Sequence, residues 1–324
     1  MPTPKISVIM SAYNSAQYIG ESISSVLNQT FRDFELIIVN DYSTDNTLEV
    51  IKTYSVQDYR IVVINNDSNL QQAISRNKAA KIARGEYIAI LDSDDISLPH
   101  RLEVQYDYSR KHPDIVLIGC GAEIINDSGS VIGRKHPSSD LNKLKFELTT
   151  TNPIVHSGVF YKKTTVDSLG GYNNNYLHSE DYKLYSDLIN KDHKITNLPN
   201  ILIKYRHSSS AISRTKSTRK VQLDHAFAIS FENITKYIQL PKESAQTFIN
   251  TVQKINLNLS SVLSSIKIYK KLTAAFVSKE KLNLDQTKDF WNIYNQEKKK
   301  LLKEYLKQKF PIIINAIKSI AKTA

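Results

Sequence analysis

Four short, almost continuously apolar runs recur in the N-terminal part of the chain, and a stretch with helical spacing follows each of the first three. The runs are Lys5 to Ala12, Phe34 to Val39, Arg60 to Ile64 and Tyr87 to Leu91. Strands that are apolar throughout are buried on both faces, so the alternation predicts a parallel sheet covered by helices on both sides. After the first run, Ser15 can cap a helix in which Tyr18, Ile19, Ile23, Val26 and Leu27 keep helical spacing. A second helix passes through Leu48 and Ile51, and a third runs from Gln71 to Ala83, stopped by Gly85. Ligands of such sheets bind beyond the carboxyl ends of the strands. Ser11, Tyr13, Asp41 and the run Asp92-Ser93-Asp94-Asp95 all fall at such ends.

That last run puts three carboxylates in four residues. Asp92 and Asp94 are two apart, so an extended backbone would point both the same way. Unpaired, such a cluster repels itself. A divalent cation removes the repulsion, and hard cations prefer oxygen ligands. Mg²⁺ or Mn²⁺ held by one or two carboxylates completes its shell with water and substrate phosphate. The alternative is an acidic loop that caps the next helix, with Pro99 near its first turn. The chain lacks both the glycine-rich dinucleotide fingerprint and the lysine-containing P-loop. Something else must therefore hold any phosphates, and a metal on Asp94 would do so.

Beyond Pro99 the pattern loosens. A helix to about Arg110 is expected, then a strand Ile115–Cys120, a hairpin turn at Asp127-Ser128-Gly129-Ser130, and an apolar strand at Val159-Phe160-Tyr161. Ser179-Glu180-Asp181 precedes a helix carrying Leu184, Leu188 and Ile189 on one face, and two short strands, Lys194–Leu198 and Ile201–Arg206, follow. The net charge of +11 is unevenly placed: residues 1–210 hold 22 basic and 24 acidic residues, residues 211–324 hold 21 and 8. All nine glycines lie at or before Gly171. Charge and glycine change together, which predicts a boundary near residue 210 between a catalytic domain (1–210) and a basic region of four or five helices (211–324). The single cysteine, Cys120, excludes a disulfide framework and a cysteine-based zinc site. The N-terminus lacks the apolar core of a signal peptide, and no apolar run approaches the ~20 residues that span a bilayer. A cytoplasmic protein, soluble or peripheral on the inner face of the cell membrane, is expected.

Several strings resemble, in order, family 2 glycosyltransferases. They are Val8-Ile9-Met10-Ser11-Ala12-Tyr13-Asn14, Asn40-Asp41-Tyr42-Ser43-Thr44-Asp45, Ser75-Arg76-Asn77, Gly85-Glu86-Tyr87-Ile88 and Leu91-Asp92-Ser93-Asp94-Asp95. Gly170-Gly171-Tyr172, Glu180-Asp181-Tyr182 and Tyr205-Arg206 extend the match over about residues 4–210. The resemblance implies the A-type glycosyltransferase fold, a Rossmann-like α/β sheet, here with a C-terminal helical region. It implies a nucleotide-sugar donor, a UDP-sugar, and transfer with inversion to a glycan or lipid-linked acceptor in bacterial surface polysaccharide synthesis. By the same resemblance Ser11 lies in the donor site, Tyr13 stacks on the base and Asp41 hydrogen-bonds it. Arg76 approaches the nucleotide, Asp92 or Ser93 faces the ribose, and Asp94 binds Mg²⁺ or Mn²⁺ on the diphosphate. Asp181 is then the catalytic base with Glu180 beside it. His207, read from the sequence itself, follows Arg206 beside a Ser208-Ser209-Ser210 segment that could close over the donor, where it could be a further metal contact. Two positions depart from the family, which often has glycine where this chain has Tyr42 and Gln71.

Two other functions compete. A sugar nucleotidyltransferase also pairs a parallel sheet with acidic metal ligands, but it would want a glycine-rich, basic loop where Ser11-Ala12-Tyr13-Asn14 stands. A nucleic-acid-binding module would use the basic tail, yet that charge lies outside the motif-bearing region, so no nucleic-acid partner is expected. The tail itself has two readings. Its lysines, with Leu301, Leu302, Leu306, Phe310 and the isoleucines after Pro311, could dock on an anionic membrane, or the same face could form a homodimer contact.

Overall fold

The computed structural model describes residues 3–208, 216–255 and 257–309. The expected terminal apolar cluster, Phe310 and the isoleucines after Pro311, lies outside them. The chain forms two compact units. One comprises Met1–Leu144 with Asn152–His225, the other Lys145–Thr151 with Ala226–Ala324.

In the first unit the apolar runs form β1 (Ile6–Ala12), β2 (Phe34–Asn40), β3 (Ile61–Asn65) and β4 (Tyr87–Ile90), with α1 (Ile19–Leu27), α2 (Thr47–Ser55) and α3 (Gln71–Ile82) between them. Their order in the sheet is β3-β2-β1-β4, all parallel. Every residue of β2 and of β4 is buried, as two covered faces require. Gly85 allows β4 to start tightly against β1: a Cβ there would lie 2.5 Å from the Ser7 backbone nitrogen.

The rest of the sheet is mixed, in keeping with the mostly parallel sheet expected of the A-type fold. After β5 (Ile96–Ser97) and α4 (Arg101–Lys111) come β6 (Ile115–Ile125), β7 (Val131–Lys135), α5 (Leu141–Glu147), β8 (Phe160–Lys162), α6 (Lys163–Ser168), α7 (Glu180–Asn190) and β9 (Lys194–Arg206). The short β8 sits between β4 and β6, antiparallel to both. The two expected strands at 194–206 are one. Leu198 pairs with Cys120 and Ile201 with Gly121, so Pro199 and Asn200 bulge out of the ladder and the strand continues. Arg101 is fully buried beneath the sheet and donates from Nη2 to the carbonyls of Ile90 and Val159 at 2.7 and 3.1 Å. It thereby fixes the carboxyl end of β4, where the acidic run begins. Burial holds its guanidinium down at about 10, still charged at neutral pH.

The second unit is helical. It contains the C-terminal part of α8 (Lys216–Thr235), then α9 (Lys242–Val252), α10 (Leu259–Lys279) and α11 (Leu284–Lys309). The expected boundary near 210 falls among residues outside those described, and the division comes after His225. Lys145–Thr151 belongs here because Phe146 is buried edge-on against Tyr269, Phe276 and Phe290, at 5.1–5.6 Å between ring centres. Of the apolar residues expected on a membrane or dimer face, Leu301 is 2% exposed in a cluster with Leu257 and Val262, against which Leu302 and Tyr305 pack, so Leu301 is not available to either. Leu306 is exposed.

Candidate active site

The base of the site is the pair of adjacent ends of β1 and β2. Ala12 lies opposite Asn40, and the Asp41 N–H donates to the Ala12 carbonyl at 2.8 Å. Tyr13 and Asp41 therefore leave the sheet side by side, with Ser11 on the same strand end. Asp41 is buried, and its Oδ1 accepts from Asn66 Nδ2 at 2.8 Å and from the Leu70 N–H at 2.9 Å. It ties the end of β2 to the entry of α3, which is more than local capping. The two loops are also joined: Asn14 Oδ1 accepts from the Thr44 N–H at 2.8 Å, and Asp45 Oδ2 from the Ala16 N–H at 3.1 Å. Ser15 does not cap α1. Its Oγ lies 2.7 Å from Ser93 Oγ instead.

The acidic run is a turn rather than an extended segment, since the Asp95 N–H donates to the Asp92 carbonyl at 3.2 Å. Partners, not alternation, therefore sort the carboxylates. Asp92 accepts from Arg76 Nη2 at 2.8 Å, and the Asp92 N–H donates to Ser157 Oγ at 3.1 Å. Burial raises the Asp92 carboxyl, but the Arg76 charge together with the hydrogen bonds from Arg76 and Ser157 and the other lowering contacts outweighs it and holds the group low. Ser93 is buried, and its carbonyl accepts from Ser22 Oγ of α1 at 2.9 Å. Asp95 is buried too, with Oδ1 accepting the Arg206 N–H at 2.6 Å and Oδ2 left without a partner. Asp94 stays partly exposed and forms no side-chain ion pair among the described residues. Burial, and then the Asp92 charge, push its carboxyl up to about 6.

Arg76 joins this run to the second acidic motif. It is 2% exposed, and its Nη1 donates to Glu180 Oε1 at 2.8 Å while Nη2 reaches Asp92 and Gln72 Oε1. Burial opposes its charge, but Asp92 and Glu180 keep it fully ionised. It is thus neither a solvated helix face nor a free cation. With Glu180 committed to Arg76, Asp181 is the carboxylate of that motif left partly exposed. Asp181 Oδ2 accepts from Asn152 Nδ2 at 2.8 Å and Oδ1 from the Tyr182 N–H at 2.7 Å. Burial and then the Glu180 charge push it up to about 6, within the range of a working general base.

The fit to a cation can be judged from these groups. Among the described residues no three His, Cys, Asp or Glu side chains converge into a complete cage. The donors still suit a hard cation that takes most of its shell from water and phosphate. Asp94 is raised by burial and by the neighbouring Asp92 charge, and Asp95 has a buried oxygen without a partner. His207 is exposed, one residue past Arg206, whose Nε donates to the Asp94 carbonyl at 2.8 Å.

Sequence reasoning gave Arg206 no role. Its guanidinium is buried over the Tyr18 ring at 4.3 Å and donates to Glu21 Oε2 at 2.8 Å and to the Asn126 carbonyl at 3.1 Å. It clasps the acidic turn between β9, α1 and the hairpin. Asn152, Ser157 and Asn66, which position Asp181, Asp92 and Asp41, were also missed. Single polar residues in loops carry no periodic signal that would find them.

A model of the family described as Glycosyl transferase family 2 matches residues 7–167. An uncharacterized glycosyltransferase of Methanocaldococcus jannaschii is 37% identical over 224 residues, 68% of this chain and 77% of that protein. The Escherichia coli UDP-Glc:alpha-D-GlcNAc-diphosphoundecaprenol beta-1,3-glucosyltransferase WfgD is 34% identical over 215 residues, 65% of this chain and 80% of the other. The fold is shared with a mannosyltransferase from Pyrobaculum calidifontis solved with GDP-Man and Mn²⁺, at a TM-score of 0.57, 14% identity and coverage of 96% of this chain and 89% of that one. The sequence match and the sheet ending in these motifs agree: the chain is a glycosyltransferase and belongs to glycosyl transferase family 2.

Proposed function

We propose that the protein transfers a sugar from a nucleoside-diphosphate sugar to a hydroxyl of a glycan or lipid-linked acceptor, with inversion, in bacterial surface polysaccharide synthesis. The observation that supports this most is the Arg76 bridge, which holds the Asp92–Asp95 turn and the Glu180–Asp181 motif at one place. Two partly exposed carboxylates with raised affinity for a proton result, Asp94 and Asp181. In this reading Tyr13 and Asp41 take the base, and Asp94 faces the diphosphate, with His207 as a second contact. Mg²⁺ or Mn²⁺ on Asp94 would neutralise charge on the departing diphosphate. Asp181 takes the proton of the acceptor hydroxyl, held in orientation by Asn152. One base suffices for a single displacement, so Glu180 is left to its ion pair.

A UDP-sugar and a lipid diphosphate acceptor are favoured because WfgD, a relative, is named for a UDP-Glc donor and a diphosphoundecaprenol-linked acceptor. Donor binding tests the base pocket. By calorimetry with Mn²⁺, Asp41→Ala should weaken UDP at least about tenfold and blur the preference for UDP over GDP. Because Asp41 also holds Leu70 and Asn66, a melting scan must first show the variant folded. Unchanged preference would put the base elsewhere.

A lipid-linked acceptor would place the work at the cytoplasmic face of the membrane. No helix among the described residues is long and apolar enough to cross it. Lys298, Lys299, Lys300 and Lys303 of α11 are exposed, and each basic residue near an anionic surface contributes about 1 kcal/mol. The protein should co-sediment with vesicles containing anionic lipid at low salt, and reversing Lys298, Lys299 and Lys303 to glutamate should release it. Recovery of the parent in the supernatant at low salt would refute docking.

A further inference from the structure

Among the described residues, seven other than glycine have positive φ: Asn14, Tyr42, Gln71, His178, Asp192, Lys254 and Lys281. Three of them end helices. Asp192, Lys254 and Lys281 follow α7, α9 and α10, and the next residue in each case donates back into the helix: His193 to Leu188, Ile255 to Asn250 and Leu282 to Val277, at 3.0, 2.7 and 3.2 Å. A left-handed residue is the ordinary way to make that closure. The other four have no helix end to explain them, and all lie at the candidate site: Asn14 after β1, Tyr42 after Asp41, Gln71 after Leu70, and His178 ahead of Glu180.

Three of these four have local compensation. Asparagine tolerates the left-handed region, and the Asn14 amide holds Thr44. The Gln71 N–H donates to Asn69 Oδ1 at 3.1 Å, and the His178 carbonyl accepts from Gln222 Nε2 at 3.0 Å. Tyr42 differs. Its φ is +63°, a region that costs a bulky side chain about 1–2 kcal/mol. Its side chain is 52% exposed and has no hydrogen bond or ring partner among the described residues. The backbone of the turn is held, since the Ser43 N–H donates to Asn40 Oδ1 at 3.4 Å, but that bond does not use the ring. A strained residue at a site whose exposed side chain has no partner points to a ligand that uses that side chain. The adjoining residue is Asp41, whose carboxylate joins β2 to α3 at the mouth of the same strand end. An exposed aromatic ring there has the chemistry to cover a nucleobase or its ribose, by stacking that tolerates different bases.

We propose that Tyr42 is a contact residue for the donor nucleoside, so that its ring, in a position where glycine would be unstrained, sets affinity for the nucleoside part of the donor. This rests on the nucleotide-sugar reading above. It makes Tyr42 a binding residue with no part in proton transfer.

The test is calorimetry of the full chain with UDP, GDP and inorganic diphosphate, each with Mn²⁺, alongside melting scans. Tyr42→Gly should melt at or above the parent temperature, since glycine takes this φ without steric cost. It should bind the parent's preferred nucleotide at least about fivefold more weakly, with diphosphate unaffected. Tyr42→Phe should bind like the parent. If the parent binds a nucleotide and Tyr42→Gly, still folded, binds it equally well, Tyr42 is not a contact and only this inference falls. An equal loss for diphosphate and nucleotide would also overturn it, since the ring would then act on the phosphates or the loop. If the parent binds no nucleotide, the function reading falls and takes this one with it.

Discussion

Asp181→Asn is expected to bind the nucleotide donor like the parent and to turn over roughly 10²-fold or more slowly. The asparagine keeps the shape and loses only the ability to take a proton. Asn152 and the Tyr182 N–H both donate to the carboxylate. With its oxygen kept towards Asn152 Nδ2, the new amide gives up only the bond from the Tyr182 N–H, and Asn152 keeps its hold on the Ile154 N–H, so the fold should survive. The pH profile separates a base from a structural role. Burial and the Glu180 charge push Asp181 up to about 6. Above that pH the group is ionised and ready; below it the base is protonated, and parent activity should fall about tenfold per pH unit. The residual activity of Asp181→Asn should lack that limb between pH 5 and about 7. Loss of donor affinity with turnover intact would make Asp181 a binding residue.

Asp94→Ala should lower transfer by at least about 10²-fold, the scale on which removing one stabilising group at a developing charge acts. Chelator should do the same to the parent. The variant should stay folded, because Asp94 is partly exposed and forms no ion pair among the described residues. Removing a carboxylate that repels Asp92 should leave the melting temperature unchanged or raised. This contrasts with Arg76, whose loss would leave Asp92 and Glu180 without the cation they share. Metal titration by calorimetry gives a second readout: Mn²⁺ should bind the parent more tightly when UDP is present, and that coupling should vanish in Asp94→Ala. Full parent activity in chelator would remove the metal from the mechanism.

The first half of the sheet was legible because its strands are buried on both faces, and continuous apolar runs follow from that. Asp41, Asp92 and Asp94 could be singled out because they fall in ordered strings beside strand ends, and Asp181 because its string, at the start of a helix, continues the same series. The strand at Val159-Phe160-Tyr161 was legible, but not its antiparallel place between β4 and β6, since three paired residues leave little pattern. Nor was the continuity of β9, where Pro199 looks like a break and is accommodated by a bulge. Asp92 and Asp94 were placed on one side by an extended-chain argument that the turn at Asp95 removes. Arg76 was expected at the nucleotide, and its Glu180 partner, 104 residues away in the chain, leaves no sign in the sequence. Amphipathic spacing identified the apolar stripe of α11 but not that Leu301 is covered by Leu257 and by Val262 of α10. Apart from the local turn at Asp95, the missing information is a non-local pairing.

The most direct test is a panel of UDP-, GDP- and TDP-sugars incubated with the full-length protein and Mn²⁺ or Mg²⁺, read by release of nucleoside diphosphate. At least one donor should release its diphosphate slowly in water and faster with an acceptor glycan. The release should stop in chelator and in Asp94→Ala. Release that continues unchanged in chelator, or the absence of release from every donor by a folded protein supplied with metal and acceptor, would contradict a metal-assisted nucleotide-sugar transferase.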